Sequence, residues 1–176
     1  MKLRKINAVC SLISTILLLI HAISIAAWML SQGRIPEVAS AIPRTLTMIF
    51  IVHVIISIIL MITSRKGSKG RKSKEYAKLN AATVVQRISG VLMIFFTAWH
   101  ILWAARIIHT PRVIHAIHPP LFFILVLIHI AVSTSKAFIT LGIGNAKFIK
   151  YSDIVIKIIC AVTLMADIIG FYLYIC

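Results

Sequence analysis

Four histidines lie inside four successive apolar stretches of this 176-residue chain: His21, His53, His100 and His129. At a helical rise of 1.5 Å per residue, each lies roughly 9–15 Å from the outer end of its stretch. A polar side chain at such a depth is costly, so these residues usually face the interior of a helix bundle and have a function there. One such histidine can simply hydrogen-bond a neighbouring helix, but four at similar depth favour a shared chemical role.

Neutral imidazoles with no carboxylate or thiolate beside them are metal ligands. Zinc accepts four histidines but would bring all four to one point. Two b-type haems need two pairs instead, and each pair binds one iron from opposite faces. Such an iron has no vacant position, so it transfers electrons and does not bind substrate.

Small residues near the histidines favour a flat macrocycle. Four of them stand three or four positions from a histidine, on the same helical face, where they can hydrogen-bond an imidazole or a backbone carbonyl; they are Ser24, Ser57, Thr97 and Ser133. Ser89 and Gly90 open a groove on the third stretch. The alternative for all of these residues is ordinary close packing of membrane helices.

The composition indicates a membrane protein. The chain is 60% hydrophobic and has four acidic residues, which are Glu37, Glu75, Asp153 and Asp167. A net charge of +15 is also typical of nucleic-acid binding. The basic residues, however, lie mostly between long apolar stretches and not along one amphipathic face. The three cysteines form no CxxC pair, and we interpret them as small apolar residues.

Five stretches are long enough to cross hydrocarbon, which takes about 20 apolar residues in a helix. They are residues 8–30, 45–63, 84–106, 119–141 and 154–175. We therefore predict an all-α membrane protein, with five transmembrane helices in a single membrane domain over residues 1–176. The first run is longer than the apolar part of a signal peptide, so we interpret it as a helix. Pro111, Pro119 and Pro120 indicate a turn before the fourth helix, in an outer loop that carries His109, His115 and His118.

The Lys/Arg distribution predicts the orientation. Fifteen basic residues fall on the side of the N-terminus, seven of them in the loop Arg65–Lys78, and four fall on the other side. The N-terminus is therefore predicted to be cytoplasmic and the C-terminus outside. Aromatic residues near the outer helix ends match an interfacial belt; they are Trp28, Trp103, Tyr172 and Tyr174.

One segment resembles a known family. QRISGVLMIFFTAWHILW (Gln86–Trp103) is similar to the third helix of the five-helix cytochrome b anchors of succinate:quinone oxidoreductases and fumarate reductases. Those helices carry a Gln-Arg-x-[Ser/Thr]-Gly run and an aromatic-rich stretch that ends in Trp-His. LIHIAVSTSKAFITLGI (Leu127–Ile143) resembles their fourth helix, and LLLIHAIS and FIVHVIIS place histidines as their first two helices do. The resemblance covers nearly the whole chain, but it is loose in the fifth helix.

The resemblance implies a cofactor set and partners. Di-haem members pair the first helix with the third and the second with the fourth. Carried over, His21 and His100 hold an outer haem b, and His53 and His129 hold an inner one. It further implies a flavoprotein subunit and an iron–sulfur subunit on the cytoplasmic face of the inner membrane, with menaquinone as the quinone. Some members carry an acidic residue near the fourth-helix histidine. This chain has apolar neighbours there, so no proton path through that helix is implied.

Charged residues supply further candidates. Arg87 and Lys136 lie near the cytoplasmic ends of their helices and can pair with propionates of the inner haem; the alternative is a basic side chain that extends to the interface. Arg106 and Arg112 are the corresponding candidates for the outer haem. Glu37 is the candidate for proton exchange with the quinone, or it offsets a nearby loop arginine. The loop Arg65–Lys78 docks an acidic partner or acts only as an insertion signal.

Two other functions stay open on the sequence. The first is a haem b anchor of another respiratory dehydrogenase, such as a hydrogenase. The second is a small transporter or structural membrane protein without cofactor. Co-purifying subunits would distinguish the first alternative, and a colourless preparation would indicate the second.

Overall fold

Five long α-helices make up the fold. The computed structural model describes residues 2–31, 41–66, 75–109 and 112–175, with no strand among them. The helices are α1 (Lys2–Leu30), α2 (Ala41–Lys66), α3 (Glu75–Ala104), α4 (Arg112–Leu141) and α5 (Ala146–Ile175). Each contains a segment long and apolar enough to cross a membrane. The predicted all-α class with five membrane-spanning helices is confirmed, and the chain is a multi-pass membrane protein.

Contacts between polar side chains show the relative directions of α1 and α2 and of α3 and α4. The Ser57 hydroxyl, in the later half of α2, donates to Asn7 Oδ1 near the start of α1 at 3.1 Å. The Lys136 ammonium, near the end of α4, donates to Gln86 Oε1 in the first half of α3 at 2.8 Å. Both helix pairs are therefore antiparallel.

Helix α5 completes the bundle against α4 and α1. Ser135 donates to Asp153 Oδ1 at 2.9 Å, so α5 starts where α4 ends. Near its other end, Gly170 lies against Met29 of α1, and α1 and α5 run parallel. One end of the bundle therefore holds the starts of α1, α3 and α5 and the ends of α2 and α4. Because most of the basic residues lie there, we call it the basic end and the opposite end the far end.

Helices α2 and α3 lie at the edge of the bundle. Helix α1 contacts α2, α4 and α5, and α4 contacts α1, α3 and α5. Among the described residues, the backbone of α2 lies close to α1 alone and that of α3 to α4 alone. The core lies around Val126 and Ile130 of α4, with Met93 and Cys160 against them, and Phe50 of α2 packs on this core. Within the described part of the chain, the backbones of α1 and α3, and those of α2 and α4, are therefore not in close contact.

The start of α4 differs from the prediction. The helix begins at Arg112 and continues through Pro119 and Pro120, so the turn predicted at these two prolines is wrong. Prolines are tolerated in membrane helices where neighbouring structure compensates for the lost hydrogen bonds. Here the segment packs on α3, since His118 stacks on Phe96 at 5.2 Å between ring centroids. This contact favours the continued helix.

A capped turn of four residues joins α4 to α5. Gly142 has φ +71°, and its N–H donates to the Ile139 carbonyl at 3.2 Å, as at many helix C-termini. Asn145 Oδ1 accepts a hydrogen bond from the Phe148 N–H at 2.9 Å, which is an N-cap. The cap explains why α5 begins at Ala146 and not at 154, as the hydropathy alone predicted.

Loss of this cap is expected to destabilise the protein. Asn145→Ala removes the side-chain acceptor and should lower the free energy of unfolding by about 1 kcal/mol. Asn145→Asp keeps an acceptor and should unfold close to the wild-type temperature. Thermal unfolding in detergent measures both. An equal loss in the two variants would show that Asn145 acts in some other way.

Candidate functional site

The four histidines form two pairs at different levels of the bundle. His129 of α4 lies close enough to His53 of α2 to interact with it electrostatically, and His100 of α3 interacts in the same way with His21 of α1. All four are half-buried. We call His53 and His129 the basic-end pair, and His21 and His100 the far-end pair.

Helix α3 holds the His129 ring in place. Ser89 Oγ lies 3.0 Å from His129 Nδ1, and the ring also hydrogen-bonds the Gln86 backbone. A Cβ atom on Gly90 would lie 3.2 Å from His129 Cε1, so the absence of a side chain there lets the ring approach α3. The groove predicted at Ser89 and Gly90 is where this imidazole lies. A hydrogen bond at Nδ1 fixes the ring orientation and directs the Nε2 lone pair towards a ligand.

His53 is positioned by the first turns of α1. Its ring hydrogen-bonds the backbone of Asn7, and Ser57, one turn later, donates to the Asn7 side chain. The His53 Nδ1 atom is buried and has no hydrogen-bond partner among the described residues. An unsatisfied buried nitrogen costs free energy. This ring therefore has unused capacity to bind a ligand or a hydrogen-bond partner.

The far-end pair lies beside aromatic rings. The His100 ring centroid is 5.8 Å from that of Phe122 and 6.4 Å from that of Trp103. His21 and His100 come from helices whose backbones are not in close contact among the described residues. The two imidazoles interact electrostatically across that separation.

A fifth histidine belongs to this region. His118 interacts electrostatically with His100 and stacks on Trp99 and Phe122, at 6.2 Å and 6.0 Å between centroids. The sequence placed His118 in a loop because Pro119 follows it. Its spacing of eleven residues before His129, which is close to three helical turns, was a signal that a helix would bring the two onto one face.

The small polar residues mostly bind backbone. Ser24 donates to a carbonyl of the preceding turn at 2.7 Å, and Ser133 donates to the carbonyl of His129 itself at 2.6 Å. Ser57 binds Asn7, and Thr97 is half-buried on α3. Of the small residues singled out, Ser89 is the one whose contact with a paired imidazole is shown.

Lys136 lies beside the basic-end pair. Its ammonium donates to Gln86 Oε1 and, at 3.3 Å, to Thr83 Oγ1. It interacts electrostatically with His129 and with the exposed Arg87. Lys136 thus lies near this pair and Arg87 lies near Lys136, and the hydrogen bonds of Lys136 are to neutral acceptors.

The other candidate residues from the sequence are not seen beside either histidine pair. Glu37 lies outside the described residues, and so does the side chain of Arg112. Arg106 follows the end of α3 with φ +57°, a conformation that favours glycine. Asp167 lies in α5, where its Oδ2 is buried with no hydrogen-bond partner in the described part of the chain. Cys10 and Cys160 are free thiols.

The arrangement of the histidines fits a group that is ligated by two side chains. Within the described ranges, no three His, Cys, Asp or Glu side chains converge as a metal-binding group, although His100 interacts electrostatically with His118 as well as with His21. A four-histidine zinc site needs all of them at one point, whereas a haem iron takes two protein ligands on opposite faces. Each pair comes from helices whose backbones are not in close contact in the described part of the chain, which leaves the separation that ligands on both sides of a flat group require. The donor set fits two bis-histidine haems.

Comparison of the chain with protein-family models, curated proteins and solved structures finds no match.

Enlarging Gly90 is expected to disturb the His129 ring. Gly90→Leu would force the imidazole or α3 to move and should cost about 1–3 kcal/mol of unfolding free energy. Ala98→Leu, at an exposed position on the same helix, adds a side chain without this contact and should be nearly neutral. Thermal unfolding in detergent compares the two. Equal effects would mean that the contact of Gly90 with His129 is unimportant.

Proposed function

We propose that this chain is the di-haem cytochrome b membrane anchor of a complex of the succinate dehydrogenase/fumarate reductase type. The observation that supports the proposal most strongly is the pairing of His53 with His129 and of His21 with His100. The resemblance of Gln86–Trp103 to the third helix of such anchors carries the assignment to this family. The cytochrome takes part in the quinone reaction of an oxidoreductase complex.

The residues of the chain hold and orient the cofactors. The basic-end pair would ligate one haem b and the far-end pair the other, and the bound haems supply one-electron transfer. Ser89 sets the orientation of the His129 ring, and Asn7 sets that of His53. The rings of Phe122 and Trp103 give the far-end haem an apolar, aromatic surround, which is a general means of tuning reduction potential.

Cations near the basic-end pair suit the propionates of its haem. A carboxylate in a region of low dielectric needs a positive partner. Lys136 interacts electrostatically with both His129 and Arg87. A propionate beside them would relieve the mutual repulsion of these two cations. Lys136 and Arg87 are therefore the residues assigned to this role.

The orientation follows the Lys/Arg rule, with the basic end in the cytoplasm. A flavoprotein subunit and an iron–sulfur subunit would dock there, next to the basic-end haem. Electrons would pass between that module and membrane menaquinone through the two haems in series. Glu37 is the candidate for proton exchange with the quinone.

A spectrum of the purified protein tests the cofactor assignment. The full chain, produced with ample iron, should show the reduced-minus-oxidised band of b-type haem, with two haems per chain. A colourless, folded preparation would contradict the proposal and would favour a membrane protein without cofactor.

Substitution of single ligands tests the pairing. His53→Ala and His100→Ala should each lose one haem and retain the other, and the double variant should lose both. His109→Ala, at an exposed residue beyond α3, should keep two. His53→Ala should also make α2 more accessible to protease, since among the described residues the backbone of α2 contacts α1 alone and Phe50 attaches it to the core. Retention of both haems in either single variant would contradict the ligand assignment.

A further inference from the structure

We propose that the groove between the end of α4 and the start of α5 binds an anionic phospholipid, with the phosphate on Lys150 and an acyl chain along its apolar floor. The groove has a volume of about 590 Å³ and is open along its side. Its polar lining is Ser135, Lys136, Lys150 and Asp153. The capped turn through Gly142 and Asn145 holds its two walls together. The inference does not depend on haem.

The charge of the groove favours an anion. Asp153, its one acidic residue, is already compensated: Oδ2 pairs with Lys157, and Oδ1 accepts a hydrogen bond from Ser135. Neither Lys136 nor Lys150 has a carboxylate within ion-pair distance among the described side chains. Lys157 compensates Asp153, and the Lys136 ammonium is directed to Gln86 and Thr83 of α3. Lys150 is therefore the uncompensated cation among the described residues of the groove.

The groove extends along the membrane helices to a depth that suits a lipid and not a free phosphate ion. Lys136 lies five residues before the end of α4 and Lys150 four residues after the start of α5, about 6–8 Å from the helix ends. Val132, on the apolar floor, lies about 13 Å from the end of α4. Beside the groove, Tyr151 is 68% exposed, as is usual for aromatic residues at the membrane interface. Basic pockets between membrane helices at this level bind anionic head groups.

Lipid titration followed by native mass spectrometry tests the site on the full chain in detergent. Phosphatidylglycerol should bind in preference to phosphatidylcholine. Lys150→Gln should weaken phosphatidylglycerol binding about fivefold, since a lysine near an anionic lipid surface contributes about 1 kcal/mol. Lys147→Gln removes the same charge from an exposed residue outside the groove lining and should have little effect.

A second variant tests the shape of the groove apart from its charge. Ala146→Trp fills the groove without changing any charged residue and should also reduce phosphatidylglycerol binding. Equal binding of the two lipids, an equal loss in Lys147→Gln and Lys150→Gln, or no change in Lys150→Gln and Ala146→Trp would each overturn the proposal. None of these results depends on the haem content of the preparation.

Discussion

An imidazole inside an apolar bundle must have its ring nitrogens satisfied, because an unsatisfied polar group there costs several kcal/mol. The local structure around the basic-end pair meets this requirement at His129 and only in part at His53. His129 is bonded by Ser89 and by the Gln86 backbone. His53 is bonded by the Asn7 backbone and keeps one buried nitrogen without a partner in the described part of the chain. A glycine at position 90 lets the His129 ring reach its partners, because a side chain there would contact the ring.

The helix arrangement follows from the same requirement. Two helices in direct contact are about 8–10 Å apart, which leaves no room for a flat group between ligands on both sides. The paired histidines come from α1 and α3 and from α2 and α4, and in neither pair are the helix backbones in close contact within the described ranges. Helices α1 and α4 form the centre, and Gly170 of α5 packs against α1. A cofactor ligated by His53 and His129 would add to the attachment that Phe50, one turn before His53, gives α2 on the core.

The sequence predicted much of this arrangement. The five helices follow from hydropathy alone, and the groove at Ser89 and Gly90 follows from the lack of bulk three and four residues after Gln86. The role of Asn7 could not be predicted, since it depends on how α1 and α2 pack. His118 was placed in a loop because proline is unfavourable in isolated helices. Packing of His118 on Phe96 shows that tertiary contacts outweighed that local preference.

Anomalous diffraction at the iron absorption edge, from crystals of the full chain, locates any bound iron. Two iron positions are expected, one between His53 and His129 and the other between His21 and His100, each with ring nitrogens on both sides. Iron bound by a single histidine, iron at His118 in place of His100, or a folded protein from iron-replete cells with no iron at either pair would contradict the di-haem assignment.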